Sequence, residues 1–343
     1  MRQHFLRLGF PVKVTGDASL KSHDARRWQN NPHLKVSLSY LDAIFDYLGR
    51  NRMDMYRMSS DLAPYVTHPD LPDFHDMIRD SDRDLAAVGA KARALDIRLS
   101  FHPSQFVVIN SPDSDLVRKS TRDLSAQAEM LDRMEMGPEA VVVLHVGGIY
   151  GDHDAARRRW IEAWQTLPSH VRARLILEHD DLRFSAADIL FIHEHTGVRL
   201  VFDHQHFWCL NPEQLAMRPT LERILRTWPP DTRPKVHFSS PRTELRSVSR
   251  THPGSGKTRI AHLPPVATAH ADFANPFEFA NFMRLADDLT FDVMLESKAK
   301  DAAVLRLRTQ LPRYAPDVAS RFGIRDAIAP EEEMADMEMD AAG

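Results

Sequence analysis

The sequence predicts a (β/α)8 TIM barrel, α/β in class, built as one domain. Eight short apolar runs alternate with helix-like stretches along the chain, the order expected of a parallel sheet with crossover helices. Seven of these runs end in, contain or lead into a residue that can bind a metal or a phosphate: His68, His102, His145, Glu178, Asp203, His237 and Glu296. An ionisable group at the end of a buried strand is costly without a partner. Seven at matching ends therefore point to one shared site at one mouth of the sheet, where barrel enzymes carry their active sites.

Each element has its own warrant. Five or six apolar or β-branched residues bounded by turn formers read as buried strands, and they fall near 6–10, 53–58, 97–102, 140–145, 174–178, 199–203, 234–238 and 291–296. Helical periodicity marks "SLSYLDAIFDYLGRN", "RDLAAVGAKARALD", "RDLSAQAEMLDRM", "AARRRWIEAWQTLP", "SAADILFIHEHTG", "LERILRTWP" and "NPFEFANFMRLADDL". Ser185 and the pair Asn275-Pro276 are N-terminal signals for two of them. The barrel domain is expected over 1–312. A C-terminal extension, 313–343, is expected to be largely disordered, because "PEEEMADMEMDAAG" carries six acidic residues, no basic ones and no helical stripe.

Composition narrows the class. A length of 343 residues and 43% hydrophobic content support one full core. The only cysteine is Cys209, so no disulfide can form within the chain and any metal must rely on imidazole and carboxylate. The N-terminus has no secretory h-region, and no run approaches the roughly 18 apolar residues of a membrane helix. A cytoplasmic protein without membrane contact or an obligate protein partner is expected. The net charge of −4 becomes +2 without the six acids of the tail. Basic residues gather in "PRTELRSVSRTHPGSGKTR", which holds Arg242, Arg246, Arg250, Lys257 and Arg259 against one Glu244. An isolated basic run is most simply a solvated loop. This one follows a strand that already carries a site residue.

The residue types then narrow the chemistry. Imidazole and carboxylate without thiolate suit Mn, Zn or Fe(II). Glu178 and Asp203 end consecutive strands and could bridge two cations, while His204 and His206 in "FDHQH" and His270 and Asp272 in "TAHADF" enrich the same end. So many donors exceed the needs of one ion. Two or three ions about 3.5–4 Å apart would clamp the attacking and leaving oxygens of a phosphoryl displacement, with hydroxide as nucleophile.

The motifs "RLGF", "YRMSSDLAPYVTHP", "LSFHPSQF", "VLHVGG", "LEHDD", "VFDHQH", "KVHFS", "HADF" and "MLESKAK" occur in order from Leu8 to Leu305. In this the chain resembles the UV damage endonuclease family, barrels related in architecture to endonuclease IV. The resemblance implies a DNA-repair enzyme that incises the backbone immediately 5′ of UV photoproducts and some other lesions in double-stranded DNA. It implies a cluster of two or three divalent ions, usually Mn2+, with Zn2+ or Co2+ as alternatives. The ligands it implies are His102, His145, Glu178, Asp203, His206, His237, His270 and Glu296. His68, Glu178 and Lys235 would be catalytic, Lys235 matching a lysine that can be carboxylated. Gln105 and Phe106 would probe the lesion, with Phe106 where the family has Tyr. Phe10 would present an aromatic face, again replacing Tyr, and the Asn usual a few residues later is missing. The segment from Ser239 to Ala269 is long for the family, and Arg242, Arg246 and Lys257 within it would extend the DNA contact.

Other suggestive features have plainer readings. "HEH" at 193–195 lies in a helical stretch and reads as surface, as do His23, His33, His153 and His252. "GSGKT" at 254–258 lacks the first glycine of a phosphate loop, since that position is Thr251. Cys209 and the methionines Met53, Met55 and Met58 read as core. Two competing functions are a sugar isomerase-like barrel, which also uses His and carboxylate metal sites, and a nucleic-acid-binding protein without catalysis. The donor count and the basic segment argue against the first, and the complete donor set against the second.

Overall fold

The structure, a computed structural model, describes residues 5–251 and 254–325. Eight parallel strands close into a barrel: β1 (Leu8–Pro11), β2 (Met55–Arg57), β3 (Arg98–Phe101), β4 (Val141–His145), β5 (Leu175–Glu178), β6 (Arg199–Asp203), β7 (Lys235–Phe238) and β12 (Asp292–Leu295). Each overlaps an expected run. Strand β12 pairs with both β7 and β1, which closes the ring. Closure needs Gly9, because a Cβ there would lie 2.0 Å from the Met55 carbonyl oxygen on β2.

The helical layer comprises α1 (Leu34–Arg50), α2 (Met77–Asp80), α3 (Asp82–Ala94), α4 (Ser114–Arg133), α5 (His153–Thr166), α6 (Ser169–Arg174), α7 (Ala186–Thr196), α8 (His204–Cys209), α9 (Met217–Leu225), α10 (Pro276–Leu285), α11 (Lys300–Tyr314) and α12 (Pro316–Arg321). The two cap signals hold. Ser185 accepts the Asp188 N–H in a full capping box, and Asn275 accepts the N–H groups of Phe277 and Glu278. Helix α4 starts two turns before the expected stretch, because Asp113 caps it by accepting the N–H groups of Asp115 and Leu116. No helix among the described residues is long and apolar enough to cross a membrane.

Two expectations meet a different outcome. The boundary at 312 falls inside α11, and the chain stays packed beyond it, with Ala315, Val318, Ala319 and Phe322 buried against the core. Residues 326–343, with the acidic segment, lie outside the described residues. The segment 239–269, read as a loop, contains four strands: β8 (Pro241–Arg242) pairs antiparallel with β11 (Val266–His270), and β9 (Arg246–Thr251) with β10 (Thr258–Leu263). "GSGKT" leads from the β9–β10 turn into β10 and carries no phosphate-loop geometry.

The two ends of the barrel differ in chemistry. At the N-terminal end, buried Asp292 is held by Arg7, Arg98 and Arg233 at 3.2, 2.9 and 3.1 Å. Trp228 packs against Val141, Val143, Ile176 and Val201 there. That end is filled by side chains. At the C-terminal end Glu178 Oε2, Asp203 Oδ2 and His237 Nε2 are buried without a hydrogen-bond partner among the described residues.

Candidate metal centre

Parallel register sets the site. His145 and Glu178 are Cα partners across β4 and β5, and Asp203 and His237 are partners across β6 and β7. His102 and Glu296 follow β3 and β12 directly. Three overlapping donor sets result: His102, His145 and Glu178; Glu178, Asp203 and His206; and Asp203, His237 and Glu296. In each set the donor atoms lie within 4.8 Å of one another. Glu178 belongs to the first two sets and Asp203 to the last two, so two carboxylates link all three.

Donor distances around Glu178 are short. His102 Nε2 lies 3.2 Å and His145 Nε2 3.8 Å from Oε2, while His237 Nδ1 lies 2.8 Å and His206 Nδ1 3.5 Å from Oε1. Glu296 adds Oε1 at 3.3 Å from His237 Nδ1. His270 stands at the rim, its ring 6.2 Å from that of His206.

Backbone carbonyls orient three of the rings. Nδ1 of His102 is 3.1 Å from the Pro103 oxygen, Nδ1 of His206 3.0 Å from the His179 oxygen and Nδ1 of His270 2.9 Å from the Glu296 oxygen. A carbonyl only accepts, so each Nδ1 carries hydrogen and Nε2 is left to face an ion. Asp203 Oδ2 and His237 Nε2 are buried without a hydrogen-bond partner among the described residues. Orphaned polar atoms of this kind are costly, and divalent ions would satisfy them. The donor set fits hard or borderline cations.

The ionisation states follow from the crowding. Burial alone would raise Glu178, but the charges of His237 and His145, the close approach of His102 and the hydrogen bond from His237 hold it well below the usual carboxylate range. Glu296 is likewise raised by burial and brought lower by Arg57 and His237. Burial pushes His102 down to about 4. His206 is lowered by burial, yet Asp203, Glu178 and Glu296 carry it up to about 9. Lys235 lies inside the barrel with Nζ 3.0 Å from Ser100 Oγ. Burial, then the charges of Arg57 and Arg98, holds its amine well below the ordinary lysine value.

Other expected residues have varied places. Gln105 and Phe106 stand exposed after His102, Phe106 at 74%, and line a cleft of about 740 Å3 with His102, His145, His206 and Tyr150. Phe10 requires correction. It is fully buried and packs edge-on against Tyr56, with centroids 5.5 Å apart, so no base can reach its face. Its position inside β1 points it into the core. His68 is not gathered into the cluster. It is exposed on the loop after β2, where Nδ1 accepts the Asp70 N–H. Arg246 pairs with Asp272 at 2.5 Å and Arg242 bonds the Pro264 carbonyl, whereas Lys257 is exposed.

Sequence reasoning missed two members. Arg57 ends β2 and forms a close ion pair with Glu296. His179, fully buried, accepts the Asp203 N–H on Nε2 at 3.0 Å and offers its carbonyl to His206. Both lie within quoted motifs at strand ends, and that position was their signal. Several histidines read as surface have structural work: His33 accepts the Lys35 N–H at the start of α1, and His153 stacks on Phe184 at 4.8 Å. Cys209 is half-buried, and Met53, Met55 and Met58 are core.

Known proteins share this fold. A structural match to sugar epimerases shows the fold alone: an L-ribulose 3-epimerase superposes with a TM-score of 0.51 at 15% identity, covering 98% of each chain. The structure described as SacUVDE superposes with a TM-score of 0.74 at 27% identity, covering 90% of this chain and 98% of that one. The UV DNA damage endonuclease of Bacillus velezensis is 31% identical over 278 residues, 81% of each chain, and that of Bacillus pumilus 31% over 258 residues, 75% of this chain and 74% of the other. The family model for UV-endonuclease UvdE matches residues 33–321, and the chain therefore belongs to the UvdE UV-endonuclease family.

Proposed function

We propose that this protein is a metal-dependent DNA-repair endonuclease that incises the phosphodiester backbone 5′ of UV photoproducts and other lesions in duplex DNA. The observation that carries this reading is the linkage of three donor sets through Glu178 and Asp203 at the mouth of the barrel. A mononuclear site would need neither shared carboxylate. Two or three divalent ions, Mn2+ foremost, would be held by His102, His145, Glu178, Asp203, His206, His237, His270 and Glu296. Ions so placed would supply Lewis acidity and hydroxide at neutral pH.

The chain's own groups divide the remaining work. Gln105 and Phe106 project into the cleft beside His102, where the amide can fill displaced space and the ring can stack. A damaged pair is weakly stacked and opens at lower cost than an intact one, which supplies selectivity. Arg57 neutralises Glu296 and holds its carboxylate toward His237. Burial and the charges of Arg57 and Arg98 hold the Lys235 amine well below the ordinary lysine value, which favours the free amine that carbamate formation with carbon dioxide requires, and Lys235 would take that role beside the ions. A cytoplasmic location fits a repair enzyme.

The test is nicking of UV-irradiated plasmid by metal-loaded protein, with Mn2+ and with chelator, against unirradiated plasmid. Damage-dependent, chelator-sensitive nicking is expected, with two or three ions per chain by elemental analysis. One ion per chain with turnover of a free sugar, and no nicking, would replace this reading with the isomerase one.

A further inference from the structure

The segment between β7 and β12 places a two-stranded arm beside the metal centre. Its root is fixed. Strands β8 and β11 pair, with Pro241 opposite His270, and the Gln205 amide donates to the carbonyls of Ala267 and Ala269 at 2.8 and 3.2 Å. Gln205 adjoins His206. The arm is therefore tied at its base to two of the proposed ligands.

Beyond the root, the β9–β10 ribbon has no core of its own. Its residues are exposed or half-exposed throughout, and an isolated two-stranded ribbon is marginal in water. Register puts Arg250 directly opposite Arg259, Val248 opposite Ala261 and Arg246 opposite Leu263. Alternation places these pairs on one face. Arg246 turns that face toward the barrel through Asp272. Farther out, the face ends in two exposed guanidiniums side by side. Neither strand contains an acidic residue. Like charges directly opposite disfavour pairing, and a polyanion lying against them relieves the repulsion.

We propose that the β9–β10 ribbon is a clamp for the sugar-phosphate backbone of the duplex on one side of the lesion, with Arg250 and Arg259 as its phosphate contacts. This rests on the endonuclease reading above. Six residues per strand give a reach of roughly 20 Å, or about six base pairs at 3.4 Å each. Because the root is fixed beside His206 and His270, backbone held by the arm is also held in register with the ions.

Two variants of the full, metal-loaded chain test it: Arg250→Ala with Arg259→Ala, and replacement of 246–263 by a short Gly-Ser turn. Binding to an undamaged 30-base-pair duplex is measured against salt, and the footprint is mapped on a duplex with one photoproduct. Both variants should lower the slope of log K against log salt by about 1.8 or more, at about 0.9 per lost contact. Footprint protection should retreat by about six base pairs on one side only, and Arg250→Lys with Arg259→Lys should restore the slope. An unchanged slope and footprint in the double-alanine protein overturn the clamp, and so does symmetric shortening. If wild-type protein nicks irradiated plasmid while the slope is unchanged, only the clamp falls. If wild-type protein does not nick, the endonuclease reading falls instead.

Discussion

Nδ1 of His237, on β7, lies 2.8 Å from Oε1 of Glu178, on β5, with β6 between the two strands. The contact is a chord across the barrel mouth. It exists because both side chains point inward from parallel strands, and it brings a base and a carboxylate together with both side chains buried. The same carboxylate also meets His102, His145 and His206.

Glu178→Gln preserves shape and removes the charge that four imidazoles share. The expected result is an intact fold with fewer bound ions and nicking lower by at least about 100-fold, since even an outer partner of a ligand is worth 10–100-fold. Elemental analysis and circular dichroism accompany the assay. Full activity in this variant would rule out the linked three-set centre.

His179→Leu tests a residue that touches the centre only through others. It removes the acceptor for the Asp203 N–H. Apparent metal affinity should fall about 10–100-fold, and saturating Mn2+ should restore most of the nicking. Loss that excess metal does not restore would show that His179 acts other than by positioning Asp203.

His206 links the centre to pH. Its folded pKa of about 9 lies above the ordinary 6.5. In metal-free protein its contribution to stability is therefore full below pH 6.5 and lost as pH rises through 9, on the order of 3 kcal/mol at most. An ion on His206 must displace the proton. Metal uptake should then release a proton between pH 6.5 and 9, with affinity rising about tenfold per pH unit. Calorimetry in buffers of different ionisation enthalpy counts that proton, and His206→Asn should abolish its release. Uptake without proton release in the wild type would place the ions elsewhere.

Phe106→Ala and Gln105→Ala should each weaken discrimination between damaged and intact DNA, measured as relative nicking of a duplex with one defined photoproduct and of its undamaged twin. Loss of one stacking face is worth about 1–3 kcal/mol, or roughly 5- to 150-fold in that ratio. Phe106→Tyr should change it little or broaden the lesion range. An unchanged ratio in Phe106→Ala would remove this ring from recognition.

The sequence by itself determined the barrel and most of its mouth. Strand period, flanking turn formers and a ligating residue at successive strand ends are local signals, and parallel register converts them directly into one cluster. His145 beside Glu178 and Asp203 beside His237 needed no long-range information beyond the alternation of strands and helices. Tertiary structure decided the rest. The resemblance assigned Phe10 an aromatic face toward DNA, but its side of β1 faces Tyr56 and the core. His179 and Arg57 matter through contacts with Asp203, His206 and Glu296, each more than 20 residues away in sequence. The segment 239–269 read as a loop because its ribbon buries little and shows no apolar alternation. Its strands are fixed by pairing with each other rather than by facing a core, and pairing between distant residues leaves no periodic trace in a single chain.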